Sequence, residues 1–171
     1  MTSVATFPGT HSADRLVIRA NPHDFSDWTG LLALILRAFA YMDGRIDPPS
    51  SALALTPGSL GHRAATETML LACKGDRLVG CTFLADRGDH FYLCKLAVEP
   101  DCHGQGIGKA LMQAAERHAI TAGKTAIELQ TRIELIENHR MFERLGFREI
   151  ARTAHPGYKR HTSLTMRKAL A

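Results

Sequence analysis

Residues 93–108 read L-C-K-L-A-V-E-P-D-C-H-G-Q-G-I-G. An apolar run passes a proline and enters a turn holding Gly104, Gly106 and Gly108. Past the turn, Ile107, Ala110, Leu111, Ala114, Ala115, His118, Ala119 and Ala122 recur at three- and four-residue steps. That spacing predicts an amphipathic helix over 109–122, with Gly123 as its C-cap. The stretch is therefore a strand, a glycine-rich turn and a helix. The first N–H groups of a helix lack partners within it and carry the positive end of its dipole. Glycines before such an end let the backbone adopt positive φ and approach a ligand closely. The arrangement is suited to cradling a phosphate or pyrophosphate.

Two common phosphate motifs fit poorly. A P-loop needs G-x-x-x-x-G-K-S/T, but His103 stands at its first glycine and Ala110 at its Ser/Thr. A dinucleotide fingerprint needs G-x-G-x-x-G, and Lys109 stands at its third glycine. Glu128 does fall about 20 residues on, where that fold places a ribose-binding acid. The dinucleotide reading stays open as the weaker one, since no second β-α-β half follows.

The run resembles the pyrophosphate loop of the GNAT superfamily of acyl-CoA-dependent N-acetyltransferases, Gln/Arg-x-x-Gly-x-Gly/Ala after a strand ending in a small apolar triplet. Here the loop is His103-Gly104-Gln105-Gly106-Ile107-Gly108, followed by Lys109, and the triplet is Leu96-Ala97-Val98. His103 departs from the family's Gln or Arg. Because such a loop works through backbone N–H groups, the exchange is expected to alter affinity without abolishing the site.

The chain has 171 residues, 45% hydrophobic and 22% charged, and 21 basic against 17 acidic residues give a net charge of +4. One domain over 14–171 behind a loose tail over 1–13 is expected. No apolar run reaches membrane-span length, and the N-terminus lacks a basic and an apolar signal region, so a cytoplasmic protein is expected. No basic run marks a nucleic-acid surface. Cys73, Cys81, Cys94 and Cys102 show neither zinc spacing nor a disulfide framework. No metal site is expected. Cys102, beside the loop, is read as a structural thiol ahead of a reactive one.

In order, a strand is expected over 16–20 and a helix over 25–41, on Trp28, Leu31, Leu32, Ile35, Leu36 and Phe39. The span 42–61 reads as a long loop with at most one helical turn. Strands over 69–73, 78–84 and 91–98 make an antiparallel meander through turns at 74–77 and 87–89. After the central helix come a strand over 125–131, a helix over 136–145 closed by Gly146, and strands over 147–153 and 162–166 around the turn 155–158. The order β-α-loop-βββ-α-β-α-ββ is that of the GNAT fold. The resemblance thus implies an α/β (α+β) fold with a mixed, mostly antiparallel sheet flanked by helices.

The resemblance also implies chemistry. Acetyl-CoA would be the co-substrate, bound by the triplet, the loop and Asn138, which matches the family's Asn on the helix before a G-F pair (Gly146-Phe147). Asn138 as a plain helix N-cap is an equal reading. Transfer would be direct, by attack of a small-molecule or peptide amine on the thioester, with a backbone N–H of the triplet strand polarising the carbonyl. Many members carry a Tyr as acid four residues before the G-F glycine, whereas this chain has Phe142. Tyr158 and His139 are the nearest substitutes, and Glu128 the candidate base. The acceptor would lie against the segment after the first helix, where Tyr41, Met42, Asp43, Arg45, Ile46 and Asp47 cluster, with 155–158 as the opposite wall. Asp43 or Asp47 would suit a basic acceptor and Arg45 a carboxylate. The missing Tyr keeps a non-catalytic CoA- or nucleotide-binding module in play. Homodimers are common in families of this kind.

Overall fold

The segment M-L-L-A-C, residues 69–73, carries apolar side chains on every position because both faces of its strand are covered. Alternate residues of a strand point to opposite faces. Leu70 and Ala72 enter one core with α3 (Ile107–Thr121), while Met69 and Leu71 enter another with α1 (Trp28–Phe39). All four are at most 2% exposed. This strand, β2 (Thr68–Lys74), forms the expected meander with β3 (Arg77–Asp86) and β4 (His90–Val98). The computed structural model describes residues 15–171, so the tail expected over 1–13 lies outside the described residues.

β1 (Leu16–Ala20), β5 (Ala126–Arg132), β6 (Arg148–Thr153) and β7 (Ser163–Ala169) complete one seven-stranded sheet in the order β1-β2-β3-β4-β5-β7-β6. Every pairing is antiparallel except β4 with β5. A parallel pair needs a long crossover, which α3 supplies. The fourth long helix, α4 (Ile136–Arg144), packs with α3 on the same face, where Phe142 joins the larger core. The expected mixed, mostly antiparallel sheet flanked by helices is thus the one observed.

One element was not foreseen. The loop expected over 42–61 follows one 3-10 turn (Ala40–Met42), holds a second (Ser51–Ala54) and includes the first half of α2 (Pro57–Thr66). Thr56 and Ser59 bond reciprocally as a capping box, at 2.9 and 3.0 Å, and Pro57 takes the first helical position. Leu60 is the only residue of α2 buried in the core, so the apolar rhythm is too weak to read. α1 begins later than expected because Asp27 caps it, accepting from Gly30 N at 2.9 Å. Phe25 stays outside and packs edge-on against Trp28.

Two features of β4 prepare the site. It pairs with β5 only from His90 to Leu93, against Ala126 to Leu129. Beyond that point the strands part. Cys81 faces Ala97 but Phe83 faces Cys94, so β4 carries an extra residue, and Lys95 in this bulge takes φ 54°.

Candidate functional site

From β4 the chain makes a 3-10 turn over Pro100–Cys102 and then the glycine turn into α3. Gly104 and Gly106 both take φ 77°, where a side chain would be strained, and a Cβ on either would project into open space. Gly106 is the N-cap of α3 and offers no side chain to the helix end. The first N–H within the helix to be bonded there is that of Ala110, to Gly106 O at 3.0 Å. The N–H groups before it are left to a ligand. α3 can lie this close to the sheet because of Gly80. A Cβ there would stand 3.0 Å from Ala97 O, 3.1 Å from Leu111 Cδ1 and 3.2 Å from Ile107 Cγ2.

In front of the turn lies a cavity of about 780 Å³. Leu96, Ala97, Val98, His103, Gly104, Gly106, Ile107, Gly108 and Asn138 all line it. Two expected cofactor residues do not. Gln105 turns outward to accept from Lys74 Nζ, and Lys109 is exposed on α3 outside the lining. Asn138 is not a cap: Leu135 holds that position, and Asn138 Nδ2 donates to the Tyr41 hydroxyl at 3.0 Å. Arg37 and Cys102 border the cavity as well. Cys102 is 4% exposed, and burial together with a hydrogen bond to Asp101 pushes its thiol up, against reactivity.

A second cavity, of about 280 Å³, fills the gap where β4 and β5 part. It shares Phe39, Tyr41, Leu96 and Asn138 with the first. The two spaces therefore meet at the end of α1 and the triplet strand. Tyr41, Met42, Ile46 and His155, from the two segments expected to face the acceptor, line the second cavity. Asp43, Arg45 and Asp47 do not. Arg45 pairs with Glu137 at 2.5 Å, and Asp47 accepts from Tyr158 at 2.6 Å and Arg160 at 3.1 Å. The Asp47 carboxyl is held below its ordinary value by the Tyr158 hydroxyl and then Arg160, and the same bond raises Tyr158.

The two residues expected to carry catalysis are not brought to these cavities. Glu128 sits in the paired part of β5, bonded to Arg167 at 2.7 Å and facing His90 at 3.2 Å. It lines neither space. Tyr158 is likewise outside both, occupied with Asp47. His139 is spent on the Arg132 carbonyl at 2.8 Å. Phe142 borders the second cavity, 8% exposed and edge-on to Phe147.

Lys95, Thr131 and Arg132 line the second cavity and were not foreseen. Lys95 is the one charge inside F-Y-L-C-K-L-A-V, which was a readable signal. Its ammonium donates to Ser51 Oγ at 2.8 Å. Arg132 donates to the carbonyls of Pro48 and Pro49 and to the His155 ring, holding the loop over β5. Burial, then Arg132, lowers His155 below its ordinary value and keeps the ring neutral.

The family described as acetyltransferase (GNAT) family matches residues 28–147, more than half of the chain. No curated protein matches it in sequence. Many solved structures share its fold, and three of them follow. The ribosomal-protein-S18-alanine N-acetyltransferase from Escherichia coli has 19% identity and a TM-score of 0.71, over 92% of this chain and 95% of that one. PaiA N-acetyltransferase from Thermoplasma acidophilum, in complex with coenzyme A, has 17% identity and a TM-score of 0.75, over 91% and 99%. A protein from Elizabethkingia anophelis with acetyl-CoA bound has 16% identity and a TM-score of 0.67, over 92% and 99%.

Proposed function

The chain belongs to the acetyltransferase (GNAT) family, and from that premise we propose that it moves the acetyl group of acetyl-CoA directly onto a primary amine. The observation that carries the reading is the meeting of two cavities at Tyr41, Leu96 and Asn138, one with an anion cradle and one without. Direct transfer needs both partners held at one point.

The cradle fits a pyrophosphate, because a Cβ on Gly104 or Gly106 would occupy the space a phosphate needs and the N–H groups ahead of Ala110 have no helical partner. Acetyl-CoA supplies a thioester carbon for an amine to attack. The edge that β4 turns toward β5 is open past Leu93, so a peptide N–H of the Leu96-Ala97-Val98 stretch serves to polarise the carbonyl oxygen.

Protons are handled by two side chains. His155, neutral and on the second cavity, takes the proton of the amine once the Arg132 guanidinium, which donates to its ring at 3.2 Å, turns away. Tyr41 gives one to the departing thiolate, where Phe142 has nothing to give. Its oxygen accepts from Asn138, which leaves its own proton free, and it borders both cavities.

The test has two stages. Thermal unfolding with acetyl-CoA, NAD and ATP at equal concentration identifies the ligand. At about a hundred times its dissociation constant a ligand of the native state adds roughly 2.7 kcal/mol. Release of free CoA with primary amines then separates an enzyme from a binding module. A Tm rise with acetyl-CoA alone, followed by amine-dependent release, is the expected result. A rise with NAD or ATP instead would sink the reading.

A further inference from the structure

The acceptor cavity has the wrong charge for a plain amine. No Asp or Glu lines it, whereas Lys95 and Arg132 do, one on each lip of the opening between β4 and β5. Lys95 stands just past Leu93 and Arg132 just past Leu129, the last pair before the strands diverge. Among the described residues neither cation has a carboxylate partner within ion-pair distance. Glu134 and Asp47 act on Arg132 only through space, and both have oxygens turned to Arg160.

Half-buried cations without counter-charges are costly to hold. Burial pushes the Lys95 ammonium below its ordinary value and does the same to Arg132, as expected of cations awaiting an anion. A separate observation points to a polar occupant. Thr131 Oγ1 is buried in the same cavity with no hydrogen-bond partner, in a residue only 6% exposed. Such an orphaned group in a cavity wall calls for a polar partner, from water or from an occupant.

We propose that the acceptor is a small amino acid or related amine whose carboxylate is seated between Lys95 and Arg132, with its amine turned toward the junction with the cofactor cavity. The space of about 280 Å³ is of small-molecule size. The polar lining, including Ser51, Gln130 and Ser163, is otherwise uncharged. An amine with a second positive charge, or one without a negative group, meets net repulsion here. This rests on the acetyl-transfer reading above and narrows it.

The experiment is CoA release at saturating acetyl-CoA with matched pairs, each common amino acid beside its carboxamide, together with the corresponding decarboxylated amines. The carboxamide's amine is the less basic and so the more available as nucleophile at neutral pH. A preference for the acid therefore reports recognition of the carboxylate. Charge-assisted hydrogen bonds from two cations predict kcat/KM for the acid about ten- to a hundredfold above its amide in the productive pairs. Lys95→Met should bring that ratio to within about threefold while Lys95→Arg keeps most of it. The Tm rise with acetyl-CoA controls for folding of both variants. Amides or plain amines turning over as well as acids, or an acid preference surviving in Lys95→Met, overturns the carboxylate seat and leaves acetyl transfer standing. No CoA release with any acid, amide or amine overturns both.

Discussion

Arg37 donates through Nε and Nη2 to the two carboxylate oxygens of Glu99, 62 positions away, and so ties the last turn of α1 to the residue that opens the turn ahead of the glycines. The pair is lopsided: the Glu99 side chain is 8% exposed and that of Arg37 55%. Removing either partner therefore has different consequences. Glu99→Gln leaves a cation with access to water and should cost about 1 kcal/mol. Arg37→Met leaves a buried carboxylate without its partner beside a site built for anions, and should cost about 2–4 kcal/mol. Thermal unfolding of both variants checks the order. Because Arg37 also borders the cavity proposed to hold acetyl-CoA, Arg37→Met should weaken acetyl-CoA binding about tenfold, and Glu99→Gln hardly at all. Equal losses in the two variants would mean the pair is a surface contact only.

Gly80 is where the sheet admits α3. In Gly80→Val the new side chain meets a main-chain oxygen at Ala97 and two side chains of α3, none of which is the loose end of a long residue. Overpacking of this kind costs about 1–3 kcal/mol, at roughly 2–4 °C of Tm per kcal/mol for a chain of this size. Ala97 and Ile107 both border the cavity proposed to hold acetyl-CoA, so the strain should also raise the dissociation constant for acetyl-CoA. Calorimetric titration beside the melting curve reads both effects.

The three turn glycines should separate by the sign of their stability change. Ala at Gly104 or Gly106 must hold φ near 77°, which costs about 1–2 kcal/mol for an L-residue. Gly108 lies within α3, and its added Cβ would stand 3.8 Å from Val98 Cγ2, an ordinary contact. Gly108→Ala should therefore stabilise the protein by about 0.5–1 kcal/mol. Chemical denaturation of the three variants decides the matter. A loss at all three would show that the turn is packed where the geometry leaves it open.

What could be read in advance follows how local each signal is. The strands of the meander announce themselves because both faces are buried, and the cradle because glycine, helix start and strand end are contiguous. α2 escaped because its evidence is a capping box around Pro57 and a single buried Leu60. Glu128 misled for the opposite reason. Its strand position is next to the cofactor strand, but Arg167 and His90, which occupy it, come from distant parts of the chain. The opposed charges of Arg45 and Asp47 could not be weighed in sequence. Each is paired with a partner far along the chain, Glu137 and Arg160. The charges left facing the cavity are Lys95 and Arg132; neither was foreseen, and only Lys95 carried a readable signal, as a lone cation in an apolar strand.

The pH profile tests the role given to His155. Its folded value lies below the ordinary 6.5, first from burial and then from the Arg132 charge, so the ring is neutral at pH 7 and its one lone pair, to which Arg132 donates at 3.2 Å, accepts the proton of the amine once that guanidinium turns away. Protonation removes that lone pair. The rate should thus be full above this value and fall as pH drops through it, and kcat/KM, which reports the free enzyme, should show an acidic limb with an apparent pKa below 6.5. In His155→Gln the limb should vanish and kcat/KM at pH 7.5 should drop about a hundredfold, within the range usual for a lost general base. Gln is chosen because it does not titrate yet can still bond to Thr162, which holds the native ring through its hydroxyl. Arg132→Lys moves the same limb by a different route. A shorter reach to the ring weakens the positive field on His155, so the limb should move up toward 6.5 with the rate at its plateau less affected. A limb that stays in place in both variants would assign the proton to another group, and the open peptide edge of β4 would then work with solvent as the base.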